Sequence, residues 1–362
     1  MTATTSTIIK KILVLFLVFA GLYFAKEFLM PLAIGGVLAT LFLPFSKWLE
    51  SKKVPKGLAV LICLIVLLLS ITGIGILLGW QIAELTNDFE LIKLRTVEKI
   101  DRIQQFILFH FGISTANQTL AIKEQQPFFT NIIKSIAGSL SVVFTNFILI
   151  LVYIFCMLYY RSHIKNFFIR LSESSQRKEM ELVVSSAAKV SQQYLFGLTK
   201  MIVCLWIMYG IGFTLLGVKN ALFFAILCGL LEIVPFIGNI TGTTLTILVA
   251  AVNGASIPML AGIAATYAVV QLIQGWILEP LIVGPQVKIN PFTTILALVI
   301  GELVWGISGI FIAIPLIAMF KIVCDHVESL KPYGFLIGEI ERIKKEPVLI
   351  KKIKKTVKKL MD

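Results

Sequence analysis

The second half of the chain places polar side chains inside long apolar runs. Carboxylates and amides recur there, and the set is Glu232, Asn239, Gln271, Gln274, Glu279 and Glu302. A charge at the centre of a bilayer costs about 2.5–3.5 kcal/mol on insertion scales, so such residues are candidates for function by default. Carboxylates and amides can bind a polar solute or an ion. We therefore expect these six residues to line a transport path or to couple it to an ion.

Glu232 is the strongest candidate because it lies three residues before Pro235, in the stretch LLEIVPFIGNITG. A helix break there would free backbone carbonyls and amides that can bind a solute or an ion. Glu302 follows Gly301 near the middle of an apolar run of about 30 residues, which favours a cavity. Either carboxylate could carry a coupled proton.

The other polar residues have simpler alternatives. Gln271 and Gln274 share one helical face by their spacing of three, and they could merely hydrogen-bond neighbouring helices. Glu279 lies near the end of its apolar run and could reach interfacial water. The sequence leaves both alternatives open.

Prolines and glycines recur beside these polar residues. Because proline interrupts helical hydrogen bonding and glycine tolerates irregular backbone, we expect helix breaks at a set of five positions. They are Pro235, Gly238, Pro280, Gly284 and Pro315.

The composition requires these elements to lie in a membrane. Hydrophobic residues make up 57% of the 362 residues and charged residues 15%, and the mean hydropathy is +0.91. A soluble domain has about 25% charged residues. The predicted fold class is therefore an all-α polytopic membrane protein with seven or eight transmembrane helices and amphipathic extramembrane helices.

Run 221–253 is the irregular one. Its 33 residues would form a helix of about 50 Å, which is too long for a hydrocarbon core of about 30 Å. Two full crossings with a turn would need about 40 residues. We therefore predict a re-entrant hairpin folded at Pro235–Gly238, surrounded by protein or by a water-filled cavity. The run between Pro31 and Pro44 is short and predicts a tilted or partial span.

Basic residues orient the chain. Segment 161–200 has seven basic and three acidic residues, whereas 81–135 has six of each. By the positive-inside rule both termini are cytoplasmic, as are 47–56 and 161–200, and 81–135 is outside. The predicted regions are listed in chain order: N-terminal transmembrane helices (1–80), an extracytoplasmic helical segment (81–135), a transmembrane helix with a cytoplasmic amphipathic helix (136–200), the core transport region with broken helices (201–322) and a basic cytoplasmic tail (323–362).

The tail carries nine Lys or Arg residues after Ile340, opposite an apolar face. Such a helix binds anionic lipid. Nucleic-acid binding and a solvated, disordered tail are the rival interpretations of a basic tail, and we expect no nucleic-acid partner on a membrane domain.

Catalytic signatures are missing from the sequence. It contains no HExxH, GxSxG or GxxxxGK[ST] pattern, and its five cysteines have no ligand spacing. We expect no enzyme activity, no metal and no cofactor.

The stretches GVKNALFFAILCGLLEIVPFIGNITG and VVQLIQGWILEPLIVGPQVKINPF resemble the autoinducer-2 exporter family, also called PerM-like permeases. The likeness covers about residues 8–330, with Tyr194 and Gly197 matching a Tyr-x-x-Gly motif. Further matches are Pro235, Phe236, Ile237 and Gly238 in the break, Gln271, Gln274, Glu279, Pro280 and Gly284 in the next helix, and Gly306, Gly309, Ala313 and Pro315 in the last. Asn239 departs from the family pattern, which has a proline after the glycine.

The resemblance implies a bacterial inner-membrane transporter that forms homo-oligomers, by resemblance pentamers. Family members include exporters of autoinducer-2 and sodium/proton antiporters. We therefore expect a secondary transporter that exports a small polar, autoinducer-2-like solute by alternating access, with H⁺ or Na⁺ as coupling ion. The alternatives are a sodium (lithium)/proton antiporter and a non-transporting membrane scaffold.

Overall fold

The computed structural model describes residues 2–87, 109, 146–233, 237–283 and 287–339. These residues form helices and no strand, which confirms the predicted all-α class. The helices are α1 (Thr2–Phe24), α2 (Lys26–Ser51), α3 (Lys56–Asn87), α4 (Asn146–Tyr159), α5 (Arg161–Leu171), α6 (Arg177–Leu215), α7 (Ala221–Leu231), α8 (Ile237–Val252), α9 (Ile257–Ile273), a π-helix (Gln274–Val283), α10 (Pro291–Trp305), α11 (Ile307–His326), a 3₁₀ turn (Glu328–Leu330) and α12 (Lys331–Ile337).

Five of these helices are long and apolar enough to cross a membrane, and α4 and α5 make a sixth if they are counted together. The bend between α4 and α5 is 69°. The difference from the predicted seven or eight spans arises because run 221–253 divides into the short helices α7 and α8, and because the apolar part of α1, Ile12–Phe24, is also short. Run 291–322 divides as well, but it keeps one long helix, α11.

Two predicted helix breaks are wrong. Pro280 lies inside the π-helix that continues α9 without interruption, and Pro315 lies inside the 20-residue helix α11. Pro31 and Pro44 likewise lie inside α2, which is one 26-residue helix rather than a short partial span. Proline is tolerated within apolar helices because neighbouring groups and local changes of helix type satisfy the freed carbonyls.

The chain turns at other places. Gly238 is the second residue of α8, and α7 ends in a turn at Glu232 and Ile233; the predicted breaks at Pro235 and Gly284 fall outside the described residues. Gly306 joins α10 to α11 with φ +63° and ψ −145°, a backbone conformation that favours glycine. The predicted segment 81–135, apart from the end of α3 and residue 109, and the tail after residue 339 also lie outside the described residues.

Helices α7 and α8 form an antiparallel hairpin that packs against α6. Gly242 lies against Cys228, and a Cβ there would come within 2.8 Å of the cysteine sulfur. Trp206 of α6 packs on Gly229 and donates its indole N–H to the Ile226 carbonyl at 3.0 Å. These close approaches place the tip of the hairpin beside the middle of α6.

Helix α9 runs antiparallel to α6 and covers the hairpin. Gly262 of α9 faces Leu216 at the end of α6, and Gly197 faces the Ile282 carbonyl in the π-helix. The hairpin's open end, the end of α6 and the start of α9 therefore lie together. From that end the 11 residues of α7 extend about 16 Å.

Candidate functional site

The tip of the α7–α8 hairpin gathers three of the predicted polar residues. Glu232 caps the C-terminal end of α7, Asn239 lies in the first turn of α8, and Gln274 begins the π-helix. All three are buried, with 6%, 1% and 7% of their surfaces exposed. We call these three residues the tip cluster.

The tip cluster is a closed ring of hydrogen bonds. Gln274 Nε2 donates to Glu232 Oε1 at 2.5 Å, and Asn239 Nδ2 donates to Glu232 Oε2. Asn239 Nδ2 also donates to Gln274 Oε1 at 3.1 Å. Both carboxylate oxygens therefore accept a hydrogen bond from an amide, an arrangement that suits the ionised acid.

This ring fixes the orientation of the Asn239 amide. Its nitrogen faces two acceptors, so its oxygen must point away from the ring. Asn239 Oδ1 is buried and accepts no hydrogen bond from the described residues. The ring thus leaves one acceptor free for a donor or a cation.

Gln271 extends the cluster along α9. Its Nε2 donates to Gln274 Oε1 at 3.3 Å, and its side chain is half-buried. Four of the six predicted polar residues, Glu232, Asn239, Gln271 and Gln274, therefore meet in one network.

Two hydroxyl groups that sequence reasoning missed lie nearby. Tyr209 of α6 is fully buried and Thr243 of α8 is 4% exposed. Neither hydroxyl makes a well-formed hydrogen bond within the described residues, although Tyr209 faces the Gln271 side chain and Thr243 faces the Cys228 thiol. A buried polar group without a partner typically costs about 1–3 kcal/mol. The available signal was the spacing of Asn239, Thr243 and Thr246, which puts three polar residues on one face of an apolar helix.

No cation balances Glu232 among the described residues. The ion pairs there are Arg161–Glu50, Lys165–Glu181, Lys321–Asp325 and Lys331–Glu328. A buried carboxylate is costly unless it is hydrogen-bonded and paired. The tip cluster supplies the hydrogen bonds but not the positive charge, so it could receive a cation or a proton.

The remaining two candidates lie outside the ring. Glu279 is exposed on the π-helix, although its carboxyl is near enough to Glu232 to interact electrostatically. Glu302 is exposed one turn before Gly306. Glu302 does not lie in the middle of a helix, because the apolar run that contains it turns at Gly306, and its role in transport stays a prediction.

Other parts of the chain offer less chemistry. A cavity of about 540 Å³ opens between the α10–α11 turn and α1–α2, lined by Tyr23, Lys26, Glu27, Asn146, Trp305 and neighbours, away from the tip cluster. In the described part of the chain no group of three His, Cys, Asp or Glu side chains is placed to hold a metal ion. The five cysteines are free thiols.

Comparison with known proteins points to transport. A family model described as "AI-2E family transporter" matches residues 12–329. "Putative transport protein YrrI" of Bacillus subtilis is 24% identical over 318 residues, which cover 83% of this chain and 87% of that protein. "Putative transport protein YhhT" of Escherichia coli is 24% identical over 338 residues, covering 91% and 94%. A "Putative transport protein" of Borreliella burgdorferi is 27% identical over 340 residues, covering 91% and 90%.

Proposed function

Because the chain belongs to the AI-2E family of transporters, we propose that it is a secondary transporter that exports a small polar solute by alternating access. The tip cluster is the proposed binding site for the solute or for a coupled ion. From the family resemblance, we expect the exported solute to be similar to autoinducer-2.

The buried carboxylate of Glu232 is the observation that supports this proposal. A membrane protein retains a buried, hydrogen-bonded charge at a helix interruption only at considerable cost. Transporters use such interruptions to bind solutes and ions at membrane depth. The free acceptor of Asn239 gives the site a point of attachment that the folded chain itself does not use.

The arrangement of helices supports a re-entrant hairpin. Both ends of the α7–α8 hairpin lie at the C-terminal end of α6, so the hairpin would enter and leave by one face of the membrane. The proposal takes the shorter helices α1 and α10 as crossings besides the six longer spans (α2, α3, α4, α6, α9 with its π-helix, and α11), and eight crossings would put the first and last of these helices' outer ends on one side. This topology agrees with the proposed cytoplasmic location of both termini in a bacterial inner membrane.

Flux through the purified protein tests the proposal. Proteoliposomes are loaded with candidate solutes, and efflux is measured with and without a pH gradient. Glu232→Gln keeps the side-chain shape but removes the charge, and we expect it to abolish gradient-dependent flux while the protein remains monodisperse. Glu302→Gln makes the same change at an exposed carboxylate and should leave flux unchanged. Unaltered flux and pH dependence in Glu232→Gln would remove Glu232 from the mechanism.

Sodium (lithium)/proton antiport is the second candidate function. The absence of a basic partner for Glu232 in the described residues and the free oxygen of Asn239 favour it, because oxygen ligands suit small hard cations. Addition of Na⁺ or Li⁺ to proteoliposomes with an imposed pH gradient separates the two functions. Antiport dissipates the gradient without any organic solute, whereas solute export does not.

Two further expectations accompany the proposal. Assembly into a homo-oligomer, by resemblance a pentamer, would cover part of the apolar helix surface. The basic tail after residue 339 would bind anionic lipid. Mass measurement in lipid nanodiscs and vesicle binding with and without anionic lipid test these two expectations.

A further inference from the structure

We propose that a closed polar passage leads from the tip cluster toward the open end of the α7–α8 hairpin and opens to water and solute during transport. It would admit neutral hydroxyl-bearing or cationic solutes and disfavour anions. This inference rests on the proposed function and adds a route and a solute class to it.

One side of the passage is a polar stripe on α8. Asn239, Thr243 and Thr246 are spaced by four and three residues, so they share one helical face, and all three are buried. The stripe extends over about 10 Å from the tip toward the open end. The other polar residues of α8, Thr241 and Thr244, are exposed, so the buried stripe is a distinct surface.

Helices α6, α7 and α9 supply the opposite sides. Tyr209 of α6 is near enough to Cys228 and to Glu232 to interact electrostatically, and its hydroxyl is directed toward Gln271 of α9. The Cys228 thiol of α7 lies beside the Thr243 and Thr246 hydroxyls. Cys228 therefore lies between the tyrosine and the stripe.

The unpaired groups mark where water or solute would enter. Tyr209 Oη, Thr243 Oγ1 and Asn239 Oδ1 are buried, and none of them makes a well-formed hydrogen bond within the described residues, although Tyr209 faces Gln271 and Thr243 faces Cys228. Thr246, by contrast, donates to the Gly242 carbonyl of its own helix at 2.8 Å. Hydroxyls that both donate and accept, together with an amide oxygen, match the hydrogen-bonding groups of a hydroxylated solute.

The charge of the passage is negative. Glu232 is the one charged residue that is buried in the described part of the chain. An anion on this route would meet a like charge with no basic side chain to offset it, whereas a neutral or cationic solute would not.

Thiol labelling in lipid nanodiscs tests the passage without knowledge of the natural solute. One variant retains only Cys228 and a control retains only Cys63, with the other cysteines changed to alanine. Both thiols are fully buried and both belong to apolar clusters, but Cys228 also lies beside the Thr243 and Thr246 hydroxyls, whereas Cys63 packs on Val60, Ile154 and Leu158. The probes are methanethiosulfonates of similar size, one with a trimethylammonium group and one with a sulfonate.

We expect Cys228 to react at least tenfold faster than Cys63, and the cationic probe to react faster than the anionic one. Glu232→Gln in the Cys228 variant should remove the charge preference while labelling continues. A Cys228 thiol that is as unreactive as Cys63 would overturn the passage, and an anionic probe that reacts as fast as the cationic one would overturn its charge selectivity.

Flux gives a second measurement if a cysteine variant fails to fold. Thr243→Val removes a buried hydroxyl of the stripe, and Thr244→Val makes the same change at an exposed threonine of the same helix. Efflux should fall at least tenfold in the first variant and remain unchanged in the second. Equal flux in both variants contradicts the passage.

The outcomes separate this inference from the proposed function. If Glu232→Gln abolishes flux but Cys228 stays unreactive, the transport site stands and the passage does not. If Cys228 reacts but flux is indifferent to Glu232→Gln, the passage stands and the proposed role of the tip cluster fails.

Discussion

The two helical hairpins of the C-terminal half, α7–α8 and α10–α11, both pack their helices closely at glycines, but they bury different kinds of side chain. In each, two apolar helices approach closely through glycines: Gly238 and Gly242 in α7–α8, and Gly301 and Gly309 in α10–α11. The first hairpin buries Glu232, Asn239, Thr243 and Thr246, whereas the second buries mainly Ile310, Ile312, Ala313 and Ala318. Close helix packing alone therefore does not identify a transport site, and the buried polar groups distinguish the two hairpins.

The largest expected effect is on folding, in the α10–α11 hairpin, which we call the dry hairpin because its buried side chains are mainly apolar. A Cβ on Gly301 would come within 2.6 Å of the Gly309 carbonyl oxygen, and one on Gly309 would clash with the Gly301 carbonyl in turn. Backbone cannot yield as a flexible side chain can, so Gly309→Val should cost more than the usual 1–3 kcal/mol or so of overpacking. We expect the loss of monodisperse protein on size-exclusion chromatography.

The control for Gly309→Val is Gly73→Val in α3, because nothing lies within 4 Å of a Cβ built at Gly73. Its yield should match that of the unmodified protein. Normal yield of Gly309→Val would show that the α10–α11 hairpin can separate without loss of the fold.

The next largest effect is expected on the stability and flux of the α7–α8 hairpin, which we call the polar hairpin because it buries polar side chains. Asn239→Ala removes a hydrogen bond to the buried Glu232 carboxylate and another to Gln274. Hydrogen bonds to charged groups contribute about 1.5–3 kcal/mol each. We expect a lower Tm in detergent and strongly reduced flux.

A double-mutant cycle with Gln274→Ala shows whether the tip cluster acts as a unit. Residues in one hydrogen-bond network have interaction energies of about 0.5–3 kcal/mol. Strictly additive changes in Tm and in flux for the two substitutions would contradict a shared network.

The sequence was sufficient to identify most of the tip cluster. Glu232, Asn239, Gln271 and Gln274 stand out because polar side chains inside apolar runs are costly, and such residues must find partners. The cost of burial thus predicts that they meet, although it does not predict which atoms pair.

The failures have local causes. Glu302 was placed mid-helix because the apolar run continues through Gly306, and hydropathy does not detect a turn made by one glycine. The rule that proline interrupts a helix predicts breaks at Pro280 and Pro315, but that rule holds best for helices in water. The helices here continue through both residues. Tyr209 carries no signal of its own in the sequence. The spacing of Thr243 with Asn239 and Thr246 is a signal for a polar face, but it does not show which hydroxyl lacks a partner, because that depends on the neighbours that the fold supplies.

A smaller effect of opposite sign is expected at the unpaired hydroxyls. Tyr209→Phe keeps the ring in its packing with Phe213, at 5.4 Å between centroids, and removes a buried hydroxyl that makes no well-formed hydrogen bond in the described part of the chain. The empty protein should gain about 1 kcal/mol of stability, seen as a higher Tm, because the cost of an unsatisfied group disappears. A lower Tm would mean that the hydroxyl is satisfied in the resting protein.

The smallest effect is expected at the carboxylate of the dry hairpin. Glu302 is exposed near the end of α10 and forms no hydrogen bond or ion pair among those found in the described residues. Glu302→Leu should therefore change the free energy of unfolding by no more than about 0.5 kcal/mol and leave flux intact, as is usual for an exposed position. Glu232→Leu makes the same change in the polar hairpin. It should abolish flux, because the side-chain amides of Asn239 and Gln274 lose the carboxylate that accepts their hydrogen bonds. If both variants lost flux equally, the α10–α11 hairpin would belong to the transport path, and the contrast between a polar and a dry hairpin would no longer hold.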